Sequence, residues 1–399
     1  MLVAASVLLG GARSDAQDLP VKPLVFGNGR VAIGGDVTVT VSCADSPGSC
    51  GADTGFFNYS DYEHSTLRSM RLEANASMRI SSRLAVLAEL RSENGAAPTA
   101  YALYAQVRPW VSRPFDIRAG RVPPTFGAFA RRSYANDNML IGYPLAYQYL
   151  TSIRPDAVPA NPDELLAMRG RGWLSQFSVG NTALDRGLPL ATAFRWDTGV
   201  QLHSNMTWGE ATAAVTTGSL GNPLVHDDNT GKQVAGRFVL HPRAGLVLGA
   251  SAARGPFLAH GATRSAGAGT TGRFVQTAVG GDLEYSRDYY LLRVEAIRSA
   301  WTLPTIEGAL RALAISAEGR YKFHPRIYGA ARYDHLGFST IAGASSSNTW
   351  DAPVTRFEVG GGYLLARNLL VKTSGQLNTR DGGRVSRLKI WAAQLAFWF

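Results

Sequence analysis

Apolar side chains recur at every second residue through much of this chain, and this period constrains the fold more than any other feature. In the segment 70–80 the apolar positions are Met70, Leu72, Ala74, Ala76, Met78 and Ile80. Every residue between them is polar or charged. Successive side chains of a β-strand point to opposite faces, so the segment is predicted to be a strand with one apolar face. Its length suits a tilted strand that crosses a bilayer.

The same alternation recurs along the chain and predicts about sixteen strands. They begin near residues 31, 66, 83, 99, 114, 193, 208, 232, 245, 273, 289, 310, 326, 354, 368 and 386. Short links alternate with longer connections, among them 300–308 and the longest, 122–190. Short turns on one rim and long loops on the other give this rhythm. We therefore predict an all-β fold, a transmembrane antiparallel up-and-down β-barrel of about 16 strands with a long third external loop.

Composition excludes several other classes of protein. The chain has 399 residues, a formal net charge of +10 and a mean hydropathy of −0.06. It contains no run of 18 apolar residues, which excludes a bundle of membrane-spanning helices. The basic residues are dispersed, so no nucleic-acid partner is expected. A soluble sandwich would also alternate, and it remains the alternative that the loop rhythm disfavours.

The first residues resemble a secretory signal. Residues 1–12 are apolar but too short to span a bilayer, and Ser14 and Ala16 supply the small residues of a cleavage site. The basic segment that usually precedes the apolar core is missing. We predict a signal peptide over 1–16 and a single outer-membrane β-barrel domain over 17–399. The alternative is a buried N-terminal helix.

Cys43 and Cys50 lie in the polar, turn-rich segment CADSPGSC. In an exported protein two cysteines this close are predicted to form a loop disulfide. The alternative is two free thiols, which a cytosolic location would require. No histidine or further cysteine lies nearby, so no metal site is expected here.

The chain ends in the alternating segment LKIWAAQLAFWF, in which Trp391, Phe397 and Phe399 share one face. This segment resembles the terminal assembly signal of bacterial outer-membrane barrels. The resemblance implies that the barrel-assembly machinery is a partner. A buried last strand of a soluble sandwich is the alternative.

The segment 115–127 reads FDIRAGRVPPTFG and resembles part of the phosphate-selective porin family. The matching positions are Gly120, Arg121, Pro123, Pro124, Phe126 and Gly127. Thr125 separates the proline from the phenylalanine and departs from the family pattern. The resemblance implies a sixteen-stranded barrel, a homotrimer and an anion-conducting pore. No lysine-rich run supports selectivity for phosphate itself.

Charges on the polar faces of the early strands are predicted to line the pore. The six arginines are Arg71, Arg79, Arg83, Arg91, Arg108 and Arg118. Only Glu73, Glu89 and Asp116 oppose them on the same faces, whereas the later strands are nearly balanced. The loop 122–190 is predicted to add Arg131, Arg132 and Arg154 at a constriction. A basic wall in a narrow tube concentrates anions, although cross-strand ion pairs would cancel part of the field.

These observations predict an outer-membrane porin that allows passive diffusion of small hydrophilic solutes, with a mild preference for anions. Its expected partners are outer-membrane lipid and small hydrophilic or anionic solutes. The alternative is a non-conducting outer-membrane barrel that acts as a binding, adhesin or scaffold protein with its lumen plugged by the long loop. The seven histidines are scattered, so no catalytic residues, metal or cofactors are expected.

Overall fold

Sixteen antiparallel strands form a closed barrel in the computed structural model, which describes residues 23–45, 68–110, 112–193, 196–229, 231–268, 273–383 and 385–399. The strands are β1 (Val31–Ala44), β2 (Arg68–Arg79), β3 (Leu84–Glu93), β4 (Thr99–Val107), β5 (Phe115–Val122), β6 (Asp197–Met206), β7 (Gly209–Thr216), β8 (Gln233–Arg243), β9 (Leu246–Pro256), β10 (Val275–Arg287), β11 (Tyr290–Leu303), β12 (Ile306–His324), β13 (Ile327–Phe338), β14 (Val354–Ala366), β15 (Leu369–Arg380) and β16 (Arg387–Trp398). Each strand pairs with its neighbours in sequence, and β16 pairs with β1, where Trp398 lies opposite Asp36. This last pairing closes the cylinder.

The predicted strands correspond one to one with the observed strands. No strand begins more than four residues from its predicted start, and the largest displacements are at β6 and β12. The connection predicted over 300–308 is wrong, because β11 continues to Leu303 and β12 begins at Ile306. Pro304 and Gly308 are typical of a loop. Here Pro304 lies in a two-residue turn, Gly308 lies within β12, and the register shifts at a bulge beside Thr302.

Both ends of the described barrel lie on one rim. The Phe399 backbone N–H donates to the Gly35 carbonyl at 3.0 Å, and the Gly35 N–H donates to the Phe399 carbonyl at 3.1 Å. The short turns, such as the one between β10 and β11, lie on this rim. The opposite rim carries the long connections, of which the longest runs over 123–196. We refer to these rims as the turn rim and the loop rim.

The remaining elements are short. A strand at Leu24–Phe26 extends the sheet beside β1, and a 3₁₀ helix covers Phe129–Arg132. The helices are α1 (Leu145–Gln148), α2 (Pro162–Ala167) and α3 (His260–Ser265). Short antiparallel strands pair Ala157–Val158 with Val179–Gly180 and Thr340–Ala342 with Ser347–Thr349. No helix in the described ranges is long and apolar enough to cross a membrane.

The outer surface of the barrel is an apolar belt. On β11 the side chains of Leu292, Val294 and Ala296 point outward, whereas Ile297 and Ser299 are buried inside. Large exposed aromatic side chains gather near the turn rim: Trp110, Trp208, Tyr289, Tyr290, Phe323 and Tyr363. Such a belt bordered by aromatic residues is the surface that a transmembrane barrel presents to lipid. The chain is therefore a transmembrane β-barrel.

The aromatic side chains of Trp391, Phe397 and Phe399, at the end of the chain, lie on this outer surface. Trp391 is 65% exposed, and the rings of Phe397 and Phe399 stack with centroids 6.1 Å apart. The Phe399 ring covers the position where Gly35 has no side chain. The predicted role of these residues as an assembly signal remains a prediction.

Two predictions concern residues outside the described ranges. The predicted signal peptide, 1–16, lies among the residues that are not described, and so does Cys50. Cys43, near the end of β1, is disulfide-bonded. The pairing of Cys43 with Cys50 remains a prediction.

Introducing a charge halfway along an outward face tests the lipid-facing belt. Ile315 points outward on β12 between Arg311 near the loop rim and Tyr321 near the turn rim. We expect Ile315→Arg to lower the free energy of unfolding by about 2–4 kcal/mol, and Ala309→Arg, close to the loop rim, by about 0–1 kcal/mol. Urea unfolding in lipid vesicles, followed by tryptophan fluorescence, measures both. Equal losses would contradict the assignment of the belt.

Candidate functional site in the barrel lumen

The long connection after β5 turns into the lumen of the barrel. Pro123 and Pro124 end the strand, and Gly127 follows with a φ of +75°. A side chain at Gly127 would collide with the hydroxyl of Tyr147 and the carboxylate of Glu295, so only glycine fits. The segment 126–154 is almost entirely buried. The sequence predicts a loop here, and in the structure this part of the loop folds inside the barrel. We call it the luminal segment.

Gly120, part of the motif that resembles phosphate-selective porins, has a structural function. Its φ is +124°, and a Cβ there would collide with the backbone of Leu103 on β4. The Arg121 side chain donates to the carbonyls of Ala100 and Trp196. In this structure the motif therefore shapes the entry of the luminal segment and joins it to neighbouring strands.

Arg332 on β13 attaches the luminal segment to the barrel wall. Its guanidinium donates to the Glu318 carboxylate at 2.7 Å, to the Asn138 side chain at 2.9 Å and to the Gly142 carbonyl at 2.5 Å. The Gly142 N–H donates to Glu358 at 3.1 Å. Arg332 and Glu358 are at most 1% exposed. The Arg332 guanidinium therefore binds the backbone of the luminal segment and does not face solutes in the lumen.

Arg356 and Lys372 make similar attachments on β14 and β15. Arg356 donates to Asp334 at 2.7 Å, and also to the Gln148 side chain and the Tyr143 carbonyl. The Lys372 ammonium donates to the carbonyls of Ala135, Asn138 and Leu140, at 2.7, 3.0 and 3.1 Å. With Arg332 they form three buried cations, which we call the wall anchors.

Contacts with other strands attach the luminal segment across the lumen. Glu295 on β11 accepts from the Ala128 N–H at 2.7 Å and from the Tyr147 hydroxyl at 2.8 Å. On the early strands, Tyr134 donates to Glu89 at 2.8 Å, and Arg71 donates to the Tyr143 hydroxyl at 2.9 Å. Burial raises the pKa of the Tyr147 phenol well above its usual range, so it stays a donor. The segment therefore contacts opposite parts of the wall.

A second group of charges remains partly exposed to the lumen. Its five guanidinium groups are Arg118, Arg131, Arg132, Arg293 and Arg320. Partly exposed carboxylates lie among them at Glu210, Glu284 and Asp137, and the carboxylates of Asp282 and Glu295 lie beside them. Burial and the neighbouring guanidinium groups of Arg237 and Arg118 lower the pKa of Arg131 to about 10. We call this group the luminal basic cluster.

Ion pairs neutralise only part of this cluster. Arg132 and Arg293 share Glu284, at 3.0 and 2.8 Å, and Arg131 lies 3.8 Å from Glu210. Within the described ranges, no carboxylate lies within ion-pair distance of Arg118 or Arg320. Arg118 donates to the Gln201 side chain at 3.0 Å, and the Arg320 guanidinium lies 5.7 Å from the centre of the Tyr328 ring. These two cations are available to an anion in the lumen.

The predicted pore arginines occupy three different environments. Arg71 and Arg91 are largely buried, and Arg91 lies 2.6 Å from Glu73. Arg108, whose side chain is exposed, pairs at 2.8 Å with the buried carboxylate of Asp116. Arg79 and Arg83 are exposed near the turn rim, and Arg118 belongs to the luminal basic cluster.

Of the three predicted loop arginines, Arg131 and Arg132 belong to the luminal basic cluster, but the prediction for Arg154 is wrong. Its side chain is fully buried. It donates to the Asp156 carboxylate at 2.7 Å and to the carbonyls of Ser175 and Ala183. Arg154 therefore stabilises the connection internally and does not face the pore.

Comparison with known proteins finds similar structures only. No family model matches the chain, and no curated protein matches it. OmpF of Salmonella typhi, in a complex with daunomycin, has a TM-score of 0.58 at 12% identity, covering 94% of this chain and 100% of that one. An anion-selective porin from Comamonas acidovorans gives 0.57 at 9% identity, covering 92% and 99%. OmpT from the outer membrane of Vibrio cholerae gives 0.56 at 11%, covering 94% and 100%.

The apolar outer belt and the closed sixteen-stranded barrel define a transmembrane barrel of the outer-membrane class. The structural matches show that this barrel has the same fold as bacterial outer-membrane porins. These similar structures do not confirm the resemblance to the phosphate-selective porin family.

Two arginine–aspartate pairs test the anchoring of the luminal segment. Arg356–Asp334 is buried and also holds the luminal segment, whereas both side chains of Arg287–Asp288, at the turn rim, are more than 70% exposed. We expect Arg356→Ala to lower the free energy of unfolding by about 3–5 kcal/mol, because Asp334 is left buried and unpaired. Arg287→Ala should cost about 0–1 kcal/mol. Urea unfolding measures both, and similar losses would contradict the anchoring role.

Proposed function

We propose that this protein is a porin of the bacterial outer membrane that lets small hydrophilic solutes diffuse passively, with a mild preference for anions. The observation that carries the proposal is the luminal basic cluster, in which Arg118 and Arg320 have no carboxylate partner among the described residues. Low-dielectric walls focus the field of such charges and raise the local concentration of anions. Guanidinium groups also offer two parallel donors to carboxylates and phosphates.

The comparisons support this proposal at the level of fold. One structure with the same fold is described as an anion-selective porin, and another is described in a trimer form. We propose a homotrimer for this chain as well. Catalysis is not part of the proposal. Among the described residues, no three His, Cys, Asp or Glu side chains are grouped so that they could hold a metal ion.

Reversing the charge of the two unpaired cations tests the selectivity. Arg118→Glu with Arg320→Glu replaces two of the five cations of the luminal basic cluster by carboxylates. We expect the preference to change from anions to cations, because the focused field changes sign. The reversal potential across a planar bilayer in a salt gradient measures this preference.

The matched control is Arg387→Glu with Lys389→Glu, which makes the same change in net charge on the outer wall of β16. It should leave the reversal potential near the wild-type value. A cation-selective wild-type protein, or equal shifts in both double variants, would contradict the assignment to the luminal basic cluster.

A second function is favoured by the contacts of the luminal segment on opposite parts of the wall. If these contacts close the lumen, the protein is a non-conducting outer-membrane barrel that presents its loops for binding or as a scaffold. This alternative rests on the wall anchors Arg332, Arg356 and Lys372, because each donates hydrogen bonds to backbone carbonyls of the segment.

Single-channel recording separates the two functions. A porin gives discrete conductance steps for the wild-type protein, whereas a closed barrel gives none until the segment is released. In either case, replacing the three wall anchors by alanine should raise the conductance severalfold, since the segment loses the three buried cations that hold its carbonyls to β13–β15. Arg387→Ala with Lys389→Ala is the control. Unchanged conductance in the anchor variant would show that the segment does not limit the passage.

A further inference from the structure

Three arginines point outward from the barrel wall near the loop rim. They are Arg254 on β9, Arg298 on β11 and Arg311 on β12, and all three are exposed. Their neighbours in sequence point inward, since Ala253, Ser299 and Ala312 are buried. Arginine is costly on a lipid-facing strand except near the membrane surface. Their position therefore marks the level of the lipid headgroups.

The strand register brings the three arginines together. Arg254 lies opposite Thr277, Thr277 opposite Ala300, and Ala300 opposite Arg311, so one row across four strands begins and ends in arginine. Strand spacing puts the two ends about 14 Å apart. Arg298 lies two residues from Ala300 on β11, a diagonal neighbour of Arg311 at about 7–8 Å. We call these residues the outer arginine triad.

No acidic residue in the described part of this wall balances the triad. None of the three arginines has an ion pair with a described residue. The single outward-facing acid on β9–β12 is Glu307, four residues from Arg311 along β12, or about 13 Å. The residues 269–272, which lie between α3 and β10 in the sequence, carry no charge. Like charges this close repel each other unless an anion lies between them.

The wall below the triad is apolar and smooth. From Arg311 towards the turn rim, the outward residues of β12 are Leu313, Ile315, Ala317 and Gly319, before Tyr321. On β9 and β10 the corresponding surface includes Ala250, Ala252 and Gly281. Acyl chains would therefore meet a continuous apolar surface directly below three cations.

We propose that this face of β9–β12 binds a phosphate-bearing lipid of the external leaflet, with its phosphates on the outer arginine triad and its acyl chains against the wall below. Charge complementarity favours this occupant over a neutral lipid. The position of the cations at headgroup level favours a lipid over a soluble anion. The inference requires the loop rim to face outward and is independent of conduction.

Binding of diphosphoryl lipid A to the full-length barrel in neutral detergent tests this inference. Each cation beside an anionic headgroup contributes roughly a factor of five in affinity, so the variant with Arg254→Gln, Arg298→Gln and Arg311→Gln should bind about a hundredfold more weakly. Native mass spectrometry measures the bound fraction. The difference in gel mobility between unheated and heated samples verifies that each variant is folded.

A matched pair of double variants controls for net charge. Arg298→Gln with Arg311→Gln removes two outward cations from the triad, and Arg387→Gln with Lys389→Gln removes two from β16. The first should weaken binding and the second should not. Lipid A without phosphates should bind weakly to every form of the protein.

Four results of the binding experiments would overturn the inference. They are equal affinity of wild type and triad variant, equal weakening in both double variants, equal binding of the dephosphorylated lipid, and displacement of the lipid by millimolar inorganic phosphate alone. A change in oligomeric state in the triad variant without any lipid would instead assign this face to a second copy of the chain, and would also overturn it.

Discussion

The backbone of a strand in lipid has no water with which to form hydrogen bonds, and the rest of the structure depends on that constraint. Each N–H and C=O within the membrane has to be paired inside the protein, so a sheet has to close on itself. Here the pairing of β16 with β1 closes it. Once the sheet is closed, every strand has one face towards lipid and one towards the lumen. The sequence must then alternate, and its polar residues must lie on the inner face.

This constraint explains why the barrel could be predicted. Alternation over about ten residues is required of each strand that crosses the membrane, so even the glycine- and alanine-rich strands β7 and β9 were located correctly. The rhythm of short and long connections follows from up-and-down topology in the same way. The turn at residues 304–305 was missed because Pro304 and Gly308 are typical of long loops as well as of a tight turn with a bulge.

The interior could be predicted only in part, since alternation shows which face a residue occupies but not what it meets there. Arg118 and Arg332 both point into the lumen. Arg118 is partly exposed, whereas Arg332 lies among Glu318, Glu358 and the backbone of Gly142. That difference depends on the path of the luminal segment, whose contacts join residues up to 237 positions apart.

One signal in the sequence would have separated these roles. On β12–β14, opposite charges occupy facing positions in the register: Glu318 lies opposite Arg332, and Arg332 opposite Glu358. Opposite charges in facing positions neutralise one another and can be buried, so that wall suits contact with protein. Around Arg118 the register offers Gln106 and Gln201 instead. Because a guanidinium flanked by amides keeps its charge unpaired, it has to stay in contact with water or with an anion, and the lumen around Arg118 therefore has to be polar and solvated.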